Sequence, residues 1–290
     1  MENLPYRAPA ACERLSSLSG QYDVLFCDVW GVIHNGATIY ADAATALARF
    51  RASGGHVILI SNASRLSRIV NAQLDTLGLA KEAYDSLITS GDVTRDYVAA
   101  RPNCAVFDVG PGNAHAIFEG LDVQFTSWDQ ADLGVTSGAF GDINDGLAQV
   151  QSVLRDMRSR DLLLLCANPD VVTELAGRRV QCSGALAGCY ARLGGRVIYA
   201  GKPQAPIYDR ALNVAAELRG GSVRRDRVLV IGDSLSTDIF GAKANGFDSL
   251  FLWGGIHAEE LGSNPSCSAL NELFARNALS PTAAAHRLVW

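Results

Sequence analysis

The sequence predicts an α/β protein with a doubly wound, mostly parallel sheet built from both ends of the chain, and a second α/β domain inserted between them. Two observations lead to this fold class. Apolar runs of strand length alternate with helical patterns before residue 84 and again after residue 194. Between these positions the alternation continues, but acids and glycines are arranged as in a separate unit. We therefore predict a core domain of residues 1–83 and 195–290 and an inserted domain of residues 84–194.

The first part of the chain reads as strand, helix, strand, helix. The segments are, in order, "YDVLFCDVWGV", "ADAATALARFRASGG", "HVILISNAS" and "SRLSRIVNAQLDTLGL". The two strands are continuous apolar runs, which is typical of strands buried on both faces of a parallel sheet. Glycines follow the helical patterns and mark their ends.

The same order returns near the end of the chain. Its segments are "RVIYAGKP", "APIYDRALNVAAEL", "DRVLVIGDS", "STDIFGAKANGF", "DSLFLWGG" and the apolar tail "SPTAAAHRLVW". In the middle, strands are predicted in "CAVFDVG", "ADLGVTSGAF" and "DLLLLCANPD", and helices in "QVQSVLRDM" and "GALAGCYARLG".

The composition is that of an ordinary soluble globular protein, with 48% hydrophobic and 19% charged residues. The net charge of −5 offers no attraction to nucleic acid or anionic membranes. No run approaches the roughly 20 apolar residues needed to span a bilayer, and the N-terminus lacks a signal-peptide core. The seven cysteines are odd in number and form no CxxC pair. We therefore expect reduced, structural cysteines in a cytoplasmic protein.

Chemically useful side chains follow four predicted strands. They are Asp28, the pair Ser61 and Asn62, Lys202, and Asp233 followed by Asp238. Each alone could equally be a helix cap, a turn or a surface loop. Together they matter, because ligands of open parallel sheets bind beyond the carboxyl ends of the strands.

These residue types fit phosphoryl transfer. A carboxylate can attack phosphorus and form an aspartyl-phosphate intermediate. Because the carboxylate and the phosphate repel each other, positive charge is required, and Mg²⁺ is typically bound by one or two carboxylates and substrate phosphate. A lysine, a hydroxyl and backbone N–H groups would complete the stabilisation of the transferring group.

The motifs resemble those of the haloacid dehalogenase superfamily, specifically its class IIA branch of sugar-phosphate, nucleotide and p-nitrophenyl phosphatases. The matching segments are "DVWGV", "LISNAS", "GKP" and "GDSLSTDIFGAKANG", the last being the most specific. The resemblance extends over essentially the whole chain. It implies a Rossmann-like core with an inserted α/β cap domain, Mg²⁺ as cofactor and a small phosphorylated metabolite as substrate. Relatives in this branch are often dimers, which implies a homodimer through the cap.

Carried over by position, the resemblance assigns five catalytic or metal-binding residues. Asp28 is the nucleophile and a metal ligand, and Ser61 anchors the phosphate. Lys202 neutralises charge. Asp233 binds the metal, and Asp238 supports the metal or its waters.

Four further residues are assigned to ligands by the same resemblance. The backbone carbonyl of Trp30 is a metal ligand. Independently of the resemblance, its aromatic side chain could shape the substrate pocket as an apolar wall or stacking face. Asn62 lines the phosphate site. Asn168 and Asp170, in "NPD", either face the substrate or hold the cap loop, since Asn-Pro-Asp is also a common turn.

Trp30 departs from the family pattern. Phosphatases of the superfamily usually carry a second Asp at this position, which protonates the leaving oxygen and later activates water. Without this Asp, the protein either acts on substrates with good leaving groups or uses another residue as the acid. The nearest candidate is His34, although we expect His34 to be a solvent-exposed loop residue. Two alternatives remain: a non-catalytic protein that binds a phosphorylated ligand and, ranked lower, a dehalogenase, since superfamily dehalogenases have an aromatic residue here but lack metal.

Overall fold

The computed structural model describes residues 10–11, 14–110, 114–139, 146–175 and 178–290. Strands and helices alternate along most of this chain. The strands are β1 (Ala10–Ala11), β2 (Val24–Cys27), β3 (His56–Ser61), β4 (Ser86–Thr89), β5 (Ala105–Asp108), β6 (Gln124–Phe125), β7 (Leu133–Thr136), β8 (Leu163–Cys166), β9 (Val172–Leu175), β10 (Arg178–Gln181), β11 (Val197–Tyr199), β12 (Val228–Gly232), β13 (Asp248–Leu252) and β14 (Ala283–Ala285).

The helices occupy the segments between the strands. They are α1 (Ala41–Ala52), α2 (Ser67–Leu77), α3 (Ser90–Ala99), α4 (Ala114–Ile117), α5 (Gly146–Ser159), α6 (Ser183–Arg192), α7 (Ala205–Arg219), α8 (Phe240–Ala244), α9 (Ala258–Leu261) and α10 (Cys267–Arg276). A π-helical turn, Leu235–Ile239, leads directly into α8. The alternation confirms the predicted α/β class.

The described residues divide into two compact units. Unit 1 contains those of Met1–Ser61, Asn71–Ile88 and Pro203–Trp290, and unit 2 contains those of Asn62–Val70 and Thr89–Lys202. The boundaries predicted at residues 84 and 194 fall before the two ends of the segment Thr89–Lys202, and Asn62–Val70, predicted within the core domain, also belongs to unit 2. The assignment of these parts as a core and a cap domain stays a prediction.

Unit 1 is built on a sheet with the strand order β1-β14-β13-β12-β2-β3-β4. The pairs with a described register are all parallel. Strands β2 and β12, at the centre, are buried at every residue, which explains their unbroken apolar sequence. The tail of the chain returns to this sheet as β14, and Leu288 beyond it is buried.

Unit 2 contains a separate sheet with the strand order β11-β8-β7-β5-β6 and parallel pairing. Alternate residues of β8 face opposite layers. Leu163 and Leu165 join a core that includes residues of α3 and α4. Leu164 and Cys166 join a core that includes residues of α5 and α6. Burial on both faces therefore accounts for the run "LLLLC".

Two features of unit 2 differ from the sequence-based expectation. Strand β11 was expected in the core domain, but it pairs with β8 of unit 2. An apolar run shows that a strand is buried without showing which sheet it joins, which is the physical reason for the difference. Strands β9 and β10 form an antiparallel pair that the sequence analysis did not predict.

The cysteines in the described part of the chain are free thiols, and four of these six are buried. Cys12 lies outside the described residues. Burial raises the pKa of Cys166 to about 12 and the pKa of Cys182 to about 11. Because the thiolate is the reactive form, these two thiols are unreactive at neutral pH, in keeping with structural cysteines. No helix in the described ranges is long and apolar enough to cross a membrane.

Asp23, just before β2, binds two arginines of unit 1. Its carboxylate accepts hydrogen bonds from Arg227 at 2.6 Å and from Arg219 at 2.7 Å. The hydrogen bond from Arg227, opposed by partial burial and helped by the charge of Arg219, lowers the pKa of Asp23 below 3.8. A lowered folded-state pKa means that the ionised carboxylate stabilises the protein at neutral pH, and that this stabilisation is lost as pH falls through the folded pKa.

We expect Asp23→Asn to lower the free energy of unfolding at pH 7 by about 1 kcal/mol, a modest value because the site is partly solvated. The difference from wild type should shrink as the pH falls below 4. Urea denaturation at several pH values measures both effects. Asp226→Asn is the matched control, because the Arg224–Asp226 pair is exposed and its loss should have little effect. An equal loss in the two variants, or a loss independent of pH, would contradict this role.

Candidate functional site

Three buried carboxylates meet at one edge of the unit 1 sheet. Asp28 follows β2, and its N–H donates to the carbonyl of Ile231 in β12 at 2.8 Å. Because β2 and β12 are parallel neighbours, Asp28 and Asp233 leave the sheet at the same edge. Asp238 comes from the π-helical turn. Oxygen atoms of Asp28, Asp233 and Asp238 all lie within 4.8 Å of one another.

Two glycines make room for the carboxylate of Asp233. A Cβ atom placed on Gly31 would lie 2.1 Å from Asp233 Oδ2, and one placed on Gly255 would lie 2.0 Å from the same atom. Gly31 also has a φ of +82°, which side chains rarely allow. The N–H of Ile256 donates to Oδ2 at 2.8 Å. Asp233 is therefore held by backbone on two sides.

Asp238 is held by the turn that carries it. Its Oδ2 accepts a hydrogen bond from the N–H of Ser234 at 3.1 Å, and the hydroxyl of Ser234 accepts one from the N–H of Thr237 at 3.3 Å. A Cβ on Gly232, the last residue of β12, would lie 2.1 Å from Asp238 Cγ. The motif "GDSLSTD" thus requires glycine at its first position for close packing.

The carboxylate cluster of Asp28, Asp233 and Asp238 has the donor set of a hard cation. Their side chains are 8%, 5% and 1% exposed. Three carboxylates this close and this buried repel each other strongly unless a cation or protons compensate. Oxygen-only ligands suit Mg²⁺ rather than softer metals. The residues therefore fit the magnesium site that the motifs predict.

Trp30 lies two residues after Asp28, and its side chain is 56% exposed. The indole packs against Gly36, where a Cβ would lie 2.5 Å from the Cη2 atom of the ring. The ring of His34 meets the indole edge to face, with centroids 5.3 Å apart. The indole is thus held on one side by the loop and is open to solvent on the other.

His34 does not have the solvent exposure expected of it. It is 3% exposed, and its Nδ1 accepts a hydrogen bond from the N–H of Gly36 at 2.8 Å. The expectation was wrong because the chain folds back tightly after Val29, whose carbonyl accepts from the N–H of Ile33 at 2.9 Å. Accepting at Nδ1 places the proton of a neutral imidazole on Nε2.

Unit 2 holds a second group of the predicted residues. The side chain of Asn62 accepts from the N–H of Lys202 at 2.8 Å and donates to its carbonyl at 3.1 Å. Asn62 also donates to Asp170 at 2.9 Å. A Cβ on Gly201 would lie 2.4 Å from Asn62 Oδ1. Asn62 therefore fixes the backbone of the "GKP" segment, and Lys202 itself is 2% exposed.

The remaining predicted residues lie at strand ends. Ser61 is the last residue of β3, which pairs with β2. In unit 2, Asn168 follows β8, and its Oδ1 accepts from the N–H of Asp170 at 3.0 Å. This bond makes "NPD" a turn, in line with the alternative that these residues hold the loop. Their role toward a substrate stays a prediction.

Comparisons with known proteins agree with the motifs. The model of the haloacid dehalogenase-like hydrolases matches residues 25–124, and a HAD-hydrolase-like model matches residues 199–271. A haloacid dehalogenase-like hydrolase from Brucella suis is 42% identical, with a TM-score of 0.80, and the match covers 96% of this chain and all of that one. The chain belongs to the haloacid dehalogenase-like hydrolases. The resemblance stated from the sequence is thereby confirmed.

Two more distant matches extend the comparison of this hydrolase. Chronophin from Rattus norvegicus is 26% identical over 266 residues, covering 87% of this chain and 84% of that protein. A glycerol phosphate phosphatase from Mycobacterium tuberculosis, solved in complex with magnesium, is 22% identical with a TM-score of 0.68, and the match covers 93% of this chain and 76% of that one. The second of these matches shows a shared fold.

We expect Gly31→Ala to disrupt the carboxylate cluster. The new methyl group would combine the strain of a positive φ, about 1–2 kcal/mol, with the close approach to Asp233. Unfolding should require less urea, and calorimetric titration should show weakened Mg²⁺ binding. Gly54→Ala is the matched control, because Gly54 has a φ of +93° but nothing within 4 Å of its Cβ position. Equal stability losses together with unchanged Mg²⁺ binding would contradict the packing role of Gly31.

Proposed function

We propose that this hydrolase is a Mg²⁺-dependent phosphatase that acts on a small phosphorylated metabolite through an aspartyl-phosphate intermediate on Asp28. The observation that carries the proposal is the buried cluster of Asp28, Asp233 and Asp238, which combines a nucleophile with an oxygen-only cation site. The fold it shares with a magnesium-bound glycerol phosphate phosphatase adds support.

In the proposed reaction, a carboxylate oxygen of Asp28 attacks phosphorus as the bond to the leaving oxygen breaks. Water then attacks the phosphorus of the acyl phosphate and releases inorganic phosphate and the free carboxylate. Asp28 and Asp233, with the backbone carbonyl of Trp30, would hold the metal, and Asp238 would support it. When bound, Mg²⁺ would offset the repulsion between the nucleophile and the phosphate.

The other predicted residues would bind the phosphate. The hydroxyl of Ser61 is proposed to donate to a phosphate oxygen, and Lys202 to supply positive charge. Asn62 would act by positioning Lys202, because its amide binds both backbone polar groups of that residue. Asn168 and Asp170 stay candidates for substrate contact.

The absence of a carboxylic acid at Trp30 limits the substrate range. An indole cannot give a proton to the leaving oxygen, so esters and anhydrides with weakly basic leaving groups should react best. We rank dehalogenation below phosphate transfer, because dehalogenases of the superfamily lack metal whereas the three carboxylates fit a cation site. We also propose that the protein is cytoplasmic, as its cysteine content predicts, and that it forms a dimer through residues 84–194, as its class IIA resemblance implies.

The proposal is tested by measuring phosphate release with and without Mg²⁺. The substrates are acetyl phosphate, p-nitrophenyl phosphate and glycerol phosphate. We expect Mg²⁺-dependent turnover of the first two and little of the third. If phosphate and Mg²⁺ bind but no substrate turns over, the protein is a binding protein and the enzymatic proposal fails.

A further inference from the structure

Two large apolar side chains adjoin the carboxylate cluster and are open to solvent. Trp30 is 56% exposed and Ile256 is 72% exposed. Each is the chain neighbour of a glycine that packs on Asp233, Trp30 preceding Gly31 and Ile256 following Gly255. The N–H of Ile256 also donates to Asp233. Exposed apolar groups beside a polar centre are typical of a ligand site.

The indole of Trp30 is held in place rather than free to turn. Gly36 leaves no room for even a methyl group beneath the ring. The buried His34 ring packs edge to face against it and is itself fixed by the N–H of Gly36. A pre-positioned aromatic face loses little conformational entropy when a ligand binds to it.

We propose that Trp30 and Ile256 form an apolar rim that binds the leaving group of the substrate, and that this group is a planar aromatic ring. The proposal rests on the function proposed above, because it takes the carboxylate cluster as the phosphate site. An aromatic ring would lie on the indole face and contact the aliphatic side chain of Ile256.

This substrate class also agrees with the chemistry of the site. The oxygen of an aryl ester leaves as a phenolate, which is far less basic than an alkoxide. Such a leaving group needs little protonation and therefore tolerates the missing acid. Trp30, which stands in place of that acid, is also the residue proposed to bind the ring. One substitution, Asp to Trp at position 30, would thus change both the proton supply and the specificity.

The rim can be tested with two phosphonates that are not hydrolysed. Phenylphosphonate and methylphosphonate carry the same charged group and differ in the aromatic ring. Calorimetric titration of the Mg²⁺-loaded protein should show phenylphosphonate binding about five- to tenfold more tightly, the value expected of aromatic stacking with some apolar burial.

Three variants locate the preference. Trp30→Ser and Ile256→Ser should both reduce the preference for phenylphosphonate over methylphosphonate. In Trp30→Ser the two affinities should become nearly equal. Gly36→Ala keeps Trp30 but displaces its ring, so it should also reduce the preference. Leu218→Ser is the matched control, because Leu218 is 41% exposed on α7 and is not a chain neighbour of the cluster. Circular dichroism checks the fold of each variant.

The outcomes separate this inference from the proposed function. If both phosphonates bind equally well, or the preference survives in Trp30→Ser and Gly36→Ala, the apolar rim is wrong while the phosphate site stands. If neither phosphonate nor inorganic phosphate binds, the proposed function itself fails. A preference that falls in the rim variants and persists in Leu218→Ser supports the proposal.

Discussion

Asp28→Asn should abolish phosphate release while the protein stays folded. The loss of a nucleophile from a covalent mechanism typically costs roughly 10⁴–10⁶-fold in turnover. The amide of Asn is a poor nucleophile, and it removes one negative charge from the cluster. Steady-state phosphate release with p-nitrophenyl phosphate measures the effect, and Asp28→Ala excludes recovery of activity by deamidation of the Asn side chain.

Controls separate the nucleophile from the metal ligand in this experiment. Calorimetry should show that Asp233→Ala impairs Mg²⁺ binding more severely than Asp28→Asn, since alanine removes the ligand at position 233 whereas an amide oxygen at position 28 can still coordinate. Asp42→Asn, an exposed acid in the first turn of α1, should leave both activity and Mg²⁺ binding unchanged. An Asp28→Asn protein that keeps a tenth or more of wild-type activity would contradict the assignment of the nucleophile.

Trp30→Asp should raise turnover of alkyl phosphates. It restores a carboxylic acid beside the nucleophile, and general acid–base catalysis is typically worth roughly 10²–10⁴-fold. The gain should be largest for glycerol phosphate. For p-nitrophenyl phosphate kcat/KM should not rise and should fall if the indole binds the ring, because this leaving group needs no proton and the variant lacks the aromatic face. The measurement is kcat/KM for both substrates in both proteins.

The structure makes this substitution practical. Removing a buried aromatic ring typically costs roughly 3–5 kcal/mol, but Trp30 is more than half exposed, so we expect a smaller loss of stability. Trp30→Asn is the matched control, because it has the shape of Asp without an acidic proton. If Trp30→Asp and Trp30→Asn hydrolyse glycerol phosphate equally well, the gain is not acid catalysis. If wild type already hydrolyses alkyl and aryl esters equally well, another group supplies the proton, and His34 is the next residue to replace.

The convergence of Asp28 and Asp233 follows from the sequence because parallel strands direct their carboxyl ends to one edge of a sheet, whereas Asp238 is carried to them by the π-helical turn. The apolar runs identify β2 and β12 as buried strands, and the acids come directly after them. Where the secondary structure is regular, the position of a residue in the sequence therefore predicts its position in the fold. The same reasoning correctly predicted the helices after β2 and β3.

Irregular segments could not be predicted in this way. The burial of His34 depends on a tight turn after Val29, and the contact of Ile256 with Asp233 depends on the path of the chain after β13. Neither leaves a periodic pattern in the sequence. The glycines do leave a signal, because only glycine at positions 31 and 255 lets the backbone approach Asp233 so closely.

The proposed aspartyl phosphate on Asp28 is most directly tested by trapping it. The Mg²⁺-loaded protein is mixed with p-nitrophenyl phosphate, quenched in acid within the first turnover and reduced with borohydride, which converts an aspartyl phosphate to homoserine. Peptide mass spectrometry should find homoserine at position 28 in wild type and none without substrate or in Asp28→Asn. Reduction at another acid, or rapid phosphate release with unmodified Asp28 at every quench time, would contradict the mechanism.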